Sequence, residues 1–265
     1  KPAITDAEYD QLKHQYESLS QSLMDVGDDR LSGFSKHVHR GPMLSLDNVY
    51  NPEDLHDFVN TLEDTLEIQP QMCIEPKIDG LAISLTFVRG KLTTAATRGN
   101  KTEGDDVTRT LLAACPNLKI ELCQTNNPIA EALRCESCLE LRGEVYMTFA
   151  EFQRINDERR QAGLELYANP RNLASGTLKT PDLSEAKSRR LNVVLYGLGF
   201  AQETQLDQHH DLHQAIKAWG LPGLESYQVV TGYEEAQRAI NLLDQTRKGF
   251  AYPTDGAVVK LCDIK

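Results

Sequence analysis

The sequence predicts an α+β fold in which antiparallel sheets are flanked by helices. Strand-like apolar runs and helix-like periodic patterns occur along the 265 residues without regular β-α-β alternation, which disfavours a doubly wound parallel sheet. Arg89-Gly90 joins two alternating runs, as a β-hairpin turn does. An apolar run ending at Glu75-Pro76 and a second run over 81–88 flank a bend at Gly80, which indicates a strand, a sharp bend and a strand.

The chain is expected to begin with a small helical unit. Apolar residues recur at alternating intervals of three and four over residues 5–24, which indicates a helix with one apolar face. A polar, glycine-containing stretch follows, and we place a domain boundary near Ser32. The predicted organisation is a partial helical subdomain over 1–32 and one larger domain over 33–265.

The larger domain is expected to open with a compact loop over 41–48 and then a helix. Asn51-Pro52 is typical of a helix start, and the predicted inward positions are Leu55, Phe58, Val59, Leu62 and Leu66. The strand, bend and strand around Lys77 come next. The remaining predicted elements are a polar loop over 100–106, an irregular stretch over 115–138, a strand over 139–147, a helix over 148–162, a turn over 169–172, a strand over 191–198, helices over 210–219 and 234–247, and a strand over 250–261 with a turn at 254–256.

The net charge limits the kinds of partner that the whole surface can bind. Lys and Arg number 28 and Asp and Glu number 39, giving a net charge of −11. This balance disfavours a surface that binds nucleic acid throughout, although it leaves room for a local basic patch. The apolar runs are too short to span a bilayer and no signal segment opens the chain, so we expect a cytoplasmic, monomeric protein with no membrane partner.

The cysteine and histidine patterns do not indicate a metal site. Cys135-x-x-Cys138 is the only close pair among six cysteines, and no second pair stands at matching spacing, so we expect free thiols. His209-His210-x-x-His213 is interpreted as a solvated helix start and not as a ligand set. No residue of the chain is therefore assigned as a metal ligand.

The residues that suggest chemistry are charged side chains at strand ends and in tight turns. Each has an ordinary structural explanation when taken alone. Together they provide a nucleophile, cations for phosphates and acids for sugar or base, which are the parts that nucleotidyl transfer needs. The set is Glu75, Lys77, Asp79, Arg98, Glu144, Arg171, Asp255 and Lys260. A phosphate-binding P-loop, a dinucleotide fingerprint and a kinase motif set are all absent.

Lys77 is the predicted nucleophile of that set. A neutral amine attacks phosphorus and an ammonium does not. Walls on both sides of a strand-end lysine would strip its hydration and favour the neutral form. We therefore expect Lys77 to lie in an enclosed pocket and to form a covalent bond with its substrate.

An ordered series of motifs extends over almost the whole chain. It comprises Glu75-Pro76-Lys77-Ile78-Asp79-Gly80, the loop Met43 to Asn48, the segment Ala96 to Val107, Leu141 to Val145, Ala168 to Asn172, Tyr196 to Gly199, and Tyr252 to Lys260. With these motifs the chain resembles the N-terminal adenylation segment of bacterial NAD-dependent DNA ligases. The resemblance implies a nucleotidyltransferase (ATP-grasp-like) domain. Lys179 stands where family members often have Arg, and a lysine there loses the planar fork of a bidentate contact.

The resemblance also implies a reaction and a set of site residues. Lys77 would attack the α-phosphate of NAD, release nicotinamide mononucleotide and hold AMP, which serves to seal 3'-OH/5'-phosphate nicks in duplex DNA during replication and repair. Mg²⁺ is the implied metal, and zinc belongs to a four-cysteine module later in the family architecture. The implied cofactor-binding residues are Asp6, Ala7, Glu8, Tyr9 and Asp10 for the nicotinamide half, and Ser45, Leu46, Glu75, Arg98, Glu144, Arg171, Tyr196, Asp255 and Lys260 for the remainder.

Two alternatives to this interpretation stay open at the level of the sequence. One is an ATP- or GTP-dependent nucleotidyltransferase, whose lysine motif would look similar but which would leave the Asp6–Asp10 helix unexplained. The other is a non-catalytic nucleotide-binding module that kept the fold. Because the family's later domains are expected to supply much of the DNA grip, we expect this segment to self-adenylate at most and to meet nicked DNA through the full-length protein.

Overall fold

The structure is a computed structural model that describes residues 33–203 and 206–263. The predicted helix over 5–24, the boundary near Ser32 and residues Asp6, Ala7, Glu8, Tyr9 and Asp10 lie outside these ranges. The strands are β1 (Lys36–Val38), β2 (Gln71–Ile78), β3 (Leu81–Val88), β4 (Lys91–Thr97), β5 (Glu103–Asp105), β6 (Leu139–Tyr146), β7 (Asn192–Ala201), β8 (Gln228–Thr231) and β9 (Thr254–Leu261). The helices are α1 (Pro52–Leu66), α2 (Thr108–Ala114), α3 (Pro128–Arg134), α4 (Phe149–Gln161), α5 (Pro170–Leu178), α6 (Leu183–Ser188), α7 (His209–Trp219) and α8 (Gly232–Thr246).

The described strands form three sheets in which every pairing is antiparallel. Their orders are β1-β5, β8-β2-β9 and β4-β3-β6-β7. With helices packed around these sheets, the α+β prediction is confirmed. None of the helices in the described part of the chain has the length and apolar composition that crossing a bilayer requires.

Strands β2 and β3 follow each other along the chain but belong to different sheets. The bend between them is tight, and the backbone N–H of Asp79 donates to the carbonyl oxygen of Pro253 at 2.9 Å. A Cβ at Gly80 would lie 2.3 Å from the carbonyl oxygen of Val145, so only glycine fits there. The bend therefore places Lys77, at the end of β2, where two sheets meet.

Two of the three buried apolar clusters among the described residues join sheets to helices. The larger one joins the four-stranded sheet, through residues such as Leu85 and Phe87, to helices that contribute Leu111 and Trp219. The smaller one packs α1 and α8 onto β2. Strand β8 pairs only with residues 71–74 of β2, whereas β9 pairs with it as far as Ile78. The chemistry-bearing end of β2 is therefore anchored by β9 and by the burial of the strand.

Helix α1 begins as predicted but buries fewer side chains than expected. The Asn51 side chain accepts from the N–H of Asp54, and Leu55 and Val59 are buried. Phe58 and Leu66 are each 38% exposed, so their predicted inward positions are wrong. The packed stripe is narrow because it follows one row of the helix, while these two side chains lie at its edge.

Two predicted turns are regular elements in the structure. Residues 169–172 begin helix α5, because the Asn169 side chain caps the N–H of Asn172 and Pro170 occupies the first turn. Residues 254–256 begin strand β9, where Gly256 pairs with Lys77 and Thr254 pairs with Ile78. Asp255 is the extra residue of this β-bulge.

Other local predictions are confirmed or refined. Helix α4 has Thr148 as its cap, and the φ of Gly163 beyond its end is 67°. Gly220 ends α7 with a φ of 64°. A Cβ at Gly143 would lie 2.2 Å from the carbonyl oxygen of Val194, so this strand glycine allows the close approach of the neighbouring strand β7. The stretches 100–106 and 115–138, expected to lack regular structure, contain β5 and α3.

Candidate functional site

Lys77 lies at the carboxyl end of β2, beside the β-bulge of β9. Its Nζ donates to Oδ2 of Asp255 at 2.5 Å, because the bulge turns the Asp255 side chain toward β2. The Lys77 side chain is 37% exposed, so the enclosed, dehydrated pocket expected from the sequence is not found. An amine attacks an electrophile only in its neutral form, and the Asp255 carboxylate lies within hydrogen-bond distance of Lys77 Nζ.

Glu144 and Tyr196 come from adjacent strands, β6 and β7. The Tyr196 hydroxyl donates to Oε2 of Glu144 at 3.0 Å. Burial raises the pKa of Glu144 to about 7, although the Tyr196 hydrogen bond and the charges of Arg171 and Lys77 act in the opposite direction. Burial also raises the pKa of Tyr196, and the charge of Glu144 adds to that shift. At neutral pH, Glu144 is therefore a carboxyl group that can donate or accept a hydrogen bond.

Arg171 lies on the Lys77 side of the site. It stands in the first turn of α5, and its Nη1 donates to Oδ1 of Asp79 at 2.9 Å. The Arg171 side chain is half exposed, which leaves part of the guanidinium open to solvent. The ion pair therefore joins the start of α5 to the bend that follows Lys77.

Glu75 stands two residues before Lys77 on β2 and faces a cluster of basic groups. Its Oε1 lies 2.8 Å from Nε2 of His209 and 2.8 Å from Nε2 of His213, and Lys260 Nζ lies 2.7 Å from Oε2. Burial alone would raise the pKa of Glu75, but the bonds from both histidines and the charge of Lys260 hold it well below its usual range. A carboxylate only accepts, so both rings carry a proton on Nε2.

The two histidines correct the sequence interpretation of their helix. His213 is buried and His209 is largely so, whereas a solvated helix start was expected. Their i, i+4 spacing places both rings on one face of α7, and that face meets β2. Burial lowers the pKa of His209, and the charge of Lys260 contributes to this shift, against the hydrogen bond to Glu75.

Lys260 connects the two halves of the site. Besides its contact with Glu75, its Nζ donates to the carbonyl oxygen of Tyr196 at 3.0 Å and lies 4.9 Å from the centre of the Tyr196 ring. It reaches both because β9 pairs directly with β2, with Lys260 opposite Cys73. Glu75, Lys77, Glu144, Tyr196, Asp255 and Lys260 therefore form one group around the ends of β2 and β9.

Three predicted site residues lie outside these contacts. Ser45 and Leu46 are on an exposed loop, and Leu46 is more than half exposed. Arg98 follows β4 and is partly buried, and its backbone carbonyl accepts from His39 at a distance of 3.2 Å. All six cysteines are free thiols, including Cys135 and Cys138.

Comparisons with known proteins identify the family to which the chain belongs. A model of the family described as NAD-dependent DNA ligase adenylation domain matches residues 31–265. The chain belongs to this family. DNA ligase 1 of Opitutus terrae is 44% identical over 98% of the chain, and the DNA ligase of Methylacidiphilum infernorum is 36% identical over 98%. The chain covers 40% and 38% of these two relatives, so it spans about two fifths of their length.

Solved structures resemble the adenylation domain more distantly. A mycobacterial DNA ligase D complexed with ATP and MES has a TM-score of 0.40 and 14% identity, covering 74% of this chain and 51% of that chain. An archaeal ATP-dependent RNA ligase has a TM-score of 0.42 and 15% identity, covering 77% and 43%.

Sequence reasoning missed two residues of the adenylation-domain site, His209 and His213. The available signal was a pair of histidines four residues apart in a predicted amphipathic helix, together with a glutamate inside a buried strand. A buried carboxylate requires partners, but the sequence alone does not say which helix supplies them, since 134 positions separate Glu75 from His209.

Proposed function

We propose that this chain is the self-adenylating segment of an NAD-dependent DNA ligase. Lys77 Nζ attacks the α-phosphorus of NAD, the bond to nicotinamide mononucleotide breaks, and AMP stays on the lysine through a P–N bond. The full-length protein then passes the adenylyl group to the 5'-phosphate of a nick, and the 3'-hydroxyl displaces AMP. The observation that carries the proposal is the meeting of Lys77, Glu144, Tyr196 and Lys260 within a chain of this family.

Asp255 is the residue proposed to accept the proton that Lys77 Nζ loses before it attacks. Its Oδ2 lies 2.5 Å from Lys77 Nζ, within the distance needed for direct proton transfer. The same carboxylate holds the lysine toward the bulge in the absence of phosphate. Because both side chains are about one-third exposed, the pair can separate when a phosphate approaches.

The surrounding residues fit the remaining parts of NAD. The Tyr196 ring would stack on adenine, with Glu75 reading the base edge. Glu144, with its pKa of about 7, suits a ribose hydroxyl because it can donate or accept, and Arg98 would assist there. Lys260 would neutralise the α-phosphate. Ser45 and Leu46 would contact the nucleotide from their loop, and Arg171 would face phosphate or DNA.

The helical subdomain and the metal complete the proposal. Residues 1–32 would form a separate unit, in which Asp6, Ala7, Glu8, Tyr9 and Asp10 hold the nicotinamide half. Carboxylates of Asp79, Glu144 and Asp255 lie in the Lys77 half of the site and are the oxygen ligands that Mg²⁺ prefers. When bound, Mg²⁺ neutralises phosphate charge.

The proposed setting is a cytoplasmic monomer that meets nicked DNA through other domains. The net charge of −11 supports this division, because a surface that gripped the DNA backbone alone would carry a basic excess. The fragment is accordingly proposed to take the first step of ligation and to seal nicks poorly by itself.

Incubation of the chain with NAD or ATP, each with Mg²⁺, tests the proposal. We expect NAD, supplied in large excess, to increase the intact mass by one adenylyl group, and ATP to leave it unchanged. An adduct from ATP alone would support an ATP-dependent nucleotidyltransferase. No adduct from either nucleotide, together with NAD binding measured by calorimetry, would support the non-catalytic module.

A further inference from the structure

Two histidines and a glutamate meet at a second place in the fold, away from the lysine. His37 and His39 are alternate residues at strand β1, so both side chains point to the same face. That face meets Glu140 of β6. His37 Nε2 and His39 Nδ1 each lie 3.8 Å from Oε1 of Glu140. The side chains of His39 and Glu140 are 0% exposed, and that of His37 is 21% exposed.

The other nitrogen of His39 fixes where its lone pair points. Nε2 lies 3.2 Å from the carbonyl oxygen of Arg98, which only accepts, so Nε2 carries the proton. In the neutral ring, Nδ1 then presents a lone pair to the Glu140 carboxylate. Two acceptors that face each other inside a protein repel unless a proton or a metal cation lies between them.

Neither facing nitrogen has another partner. His37 Nε2 and His39 Nδ1 are buried and make no hydrogen bond to any described residue. A separation of 3.8 Å is too long for a hydrogen bond to the carboxylate. Zn–N and Zn–O bonds of about 2.0–2.2 Å, meeting at a metal ion, can span that separation.

Outer contacts hold the glutamate in place. Ser84 Oγ donates to Oε1 at 3.0 Å, while Arg142 Nη2 and the N–H of Arg40 donate to Oε2 at 3.1 and 3.2 Å. The bond from His39 to a backbone carbonyl is likewise the arrangement that orients metal-binding histidines. Ligands that are already oriented lose little freedom when a metal binds.

We propose that His37, His39 and Glu140 bind one Zn²⁺ ion. The three ligand atoms lie within 4.8 Å of one another, and two imidazoles with one carboxylate are a common zinc ligand set. The fourth position is open to water on the side where His37 is partly exposed. The site is distinct from the lysine site, and it does not depend on the adenylation chemistry proposed above.

The zinc ion would act as a structural tie. Strand β1 has three residues and pairs with β5, so its backbone bonds are few. The metal would connect β1 directly to β6 in the four-stranded sheet. The metal would also stabilise the start of the loop that carries Ser45. It would act through His39, which contacts the Arg98 carbonyl, and through Arg142, which donates to the carbonyl oxygen of Gly41 at 2.6 Å.

Zinc titration of chelator-treated protein tests the site. We expect the wild-type chain to bind one Zn²⁺ by calorimetry and to unfold at a higher temperature with zinc, because a ligand that binds only the native state stabilises it. His37→Gln should weaken zinc binding at least about 100-fold, beyond the roughly 10–100-fold cost of losing an outer partner. The matched control is His56→Gln, on exposed α1, which should bind zinc as the wild type does.

A competing cluster of Cys73, Glu75 and His213 must be distinguished from this one. Substituted Co²⁺ should show no thiolate-to-cobalt charge-transfer band, and His213→Gln should leave the zinc affinity unchanged. The proposal is overturned if the wild type binds no zinc, if His37→Gln binds as tightly as wild type while remaining folded by circular dichroism, or if His213→Gln abolishes binding.

Discussion

Glu75 and Glu144 flank the same lysine, yet their environments drive their pKa values in opposite directions. Glu75 is 2% exposed, but two histidines and Lys260 hold its pKa below the usual range. Glu144 has one neutral donor, Tyr196, and burial raises its pKa to about 7. The contrast shows that burial alone does not set the charge of a carboxyl group; the number and charge of its partners do.

This difference divides the site into a fixed half and an adjustable half. In the Glu75 half, burial would raise the pKa of Glu75, but the bonds from two histidines and the charge of Lys260 hold it below its usual range, so this carboxyl group is ionised at neutral pH. The Glu144 half contains a carboxyl that titrates near neutral pH, an exposed ion pair of Lys77 with Asp255 and a half-exposed Arg171. The adjustable half therefore suits the proposed reaction, in which charge moves, and the fixed half suits the proposed binding of the base.

Replacement of Lys77, the proposed nucleophile, should have the largest effect of the substitutions that test the two halves of the site. Lys77→Ala should leave no detectable adenylyl adduct by intact mass with NAD and Mg²⁺. It should also raise the pKa of Glu144 further, because the Lys77 charge favours the Glu144 anion, while Glu75 should keep its pKa. Loss of the partly exposed pair with Asp255 should cost at most about 1 kcal/mol of unfolding free energy.

Lys77→Arg is the matched control for charge. The guanidinium keeps the positive charge beside Asp255 but stays protonated, so it should also form no adduct. The pKa of Glu144, followed by NMR of labelled carboxyl carbons, should remain near that of the wild type. An adduct on either variant would show that Lys77 is not the nucleophile. It would also contradict the division of the site into a fixed half and an adjustable half.

The same substitution on each glutamate should give unequal losses of stability. Glu75→Ala leaves two buried ring N–H groups without their acceptor and removes the carboxylate that faces Lys260, which should cost about 3–5 kcal/mol. Glu144→Ala removes a group whose anion is already disfavoured and leaves one hydroxyl unpaired, which should cost about 1 kcal/mol. Urea unfolding of both variants measures the difference. Equal losses would contradict the division.

The local elements of this fold could be predicted from sequence because their signals are local. Thr148 and Gly163 mark the two ends of α4, and Arg89-Gly90 joins β3 to β4 as expected. The motif residues Lys77, Glu144, Tyr196 and Lys260 were also predicted as site residues, and the structure places them together. Their roles remain predictions.

The remaining features depend on contacts between distant parts of the chain. Nothing local shows that β2 and β3 enter different sheets, or that Asp255 is the extra residue of a bulge. The histidine partners of Glu75 lie more than 130 positions away. The expected enclosure of Lys77 failed for the same reason, since the walls of a pocket are supplied by elements that the motif does not contain.

The pH dependence of stability should also separate the two carboxyl groups. Glu144 has a raised pKa in the folded state, so folded protein holds more protons than unfolded protein between about pH 4.3 and about pH 7. Relative to Glu144→Gln, the wild type should therefore lose roughly 3–4 kcal/mol of unfolding free energy as pH rises through this window, and the difference should be constant above it.

Glu75 should show the opposite dependence in a different window. Its folded pKa is depressed, so its contribution is present above an unfolded pKa of about 4.3 and is lost as pH falls below that value. Relative to Glu75→Gln, the wild type should lose stability only on the acid side. Urea midpoints of the two Gln variants and the wild type, measured from about pH 3.5 to about pH 8, test both slopes. Parallel curves for Glu144→Gln and the wild type between about pH 5 and about pH 7 would mean that Glu144 is ionised throughout, and the adjustable half would then lack its titrating group.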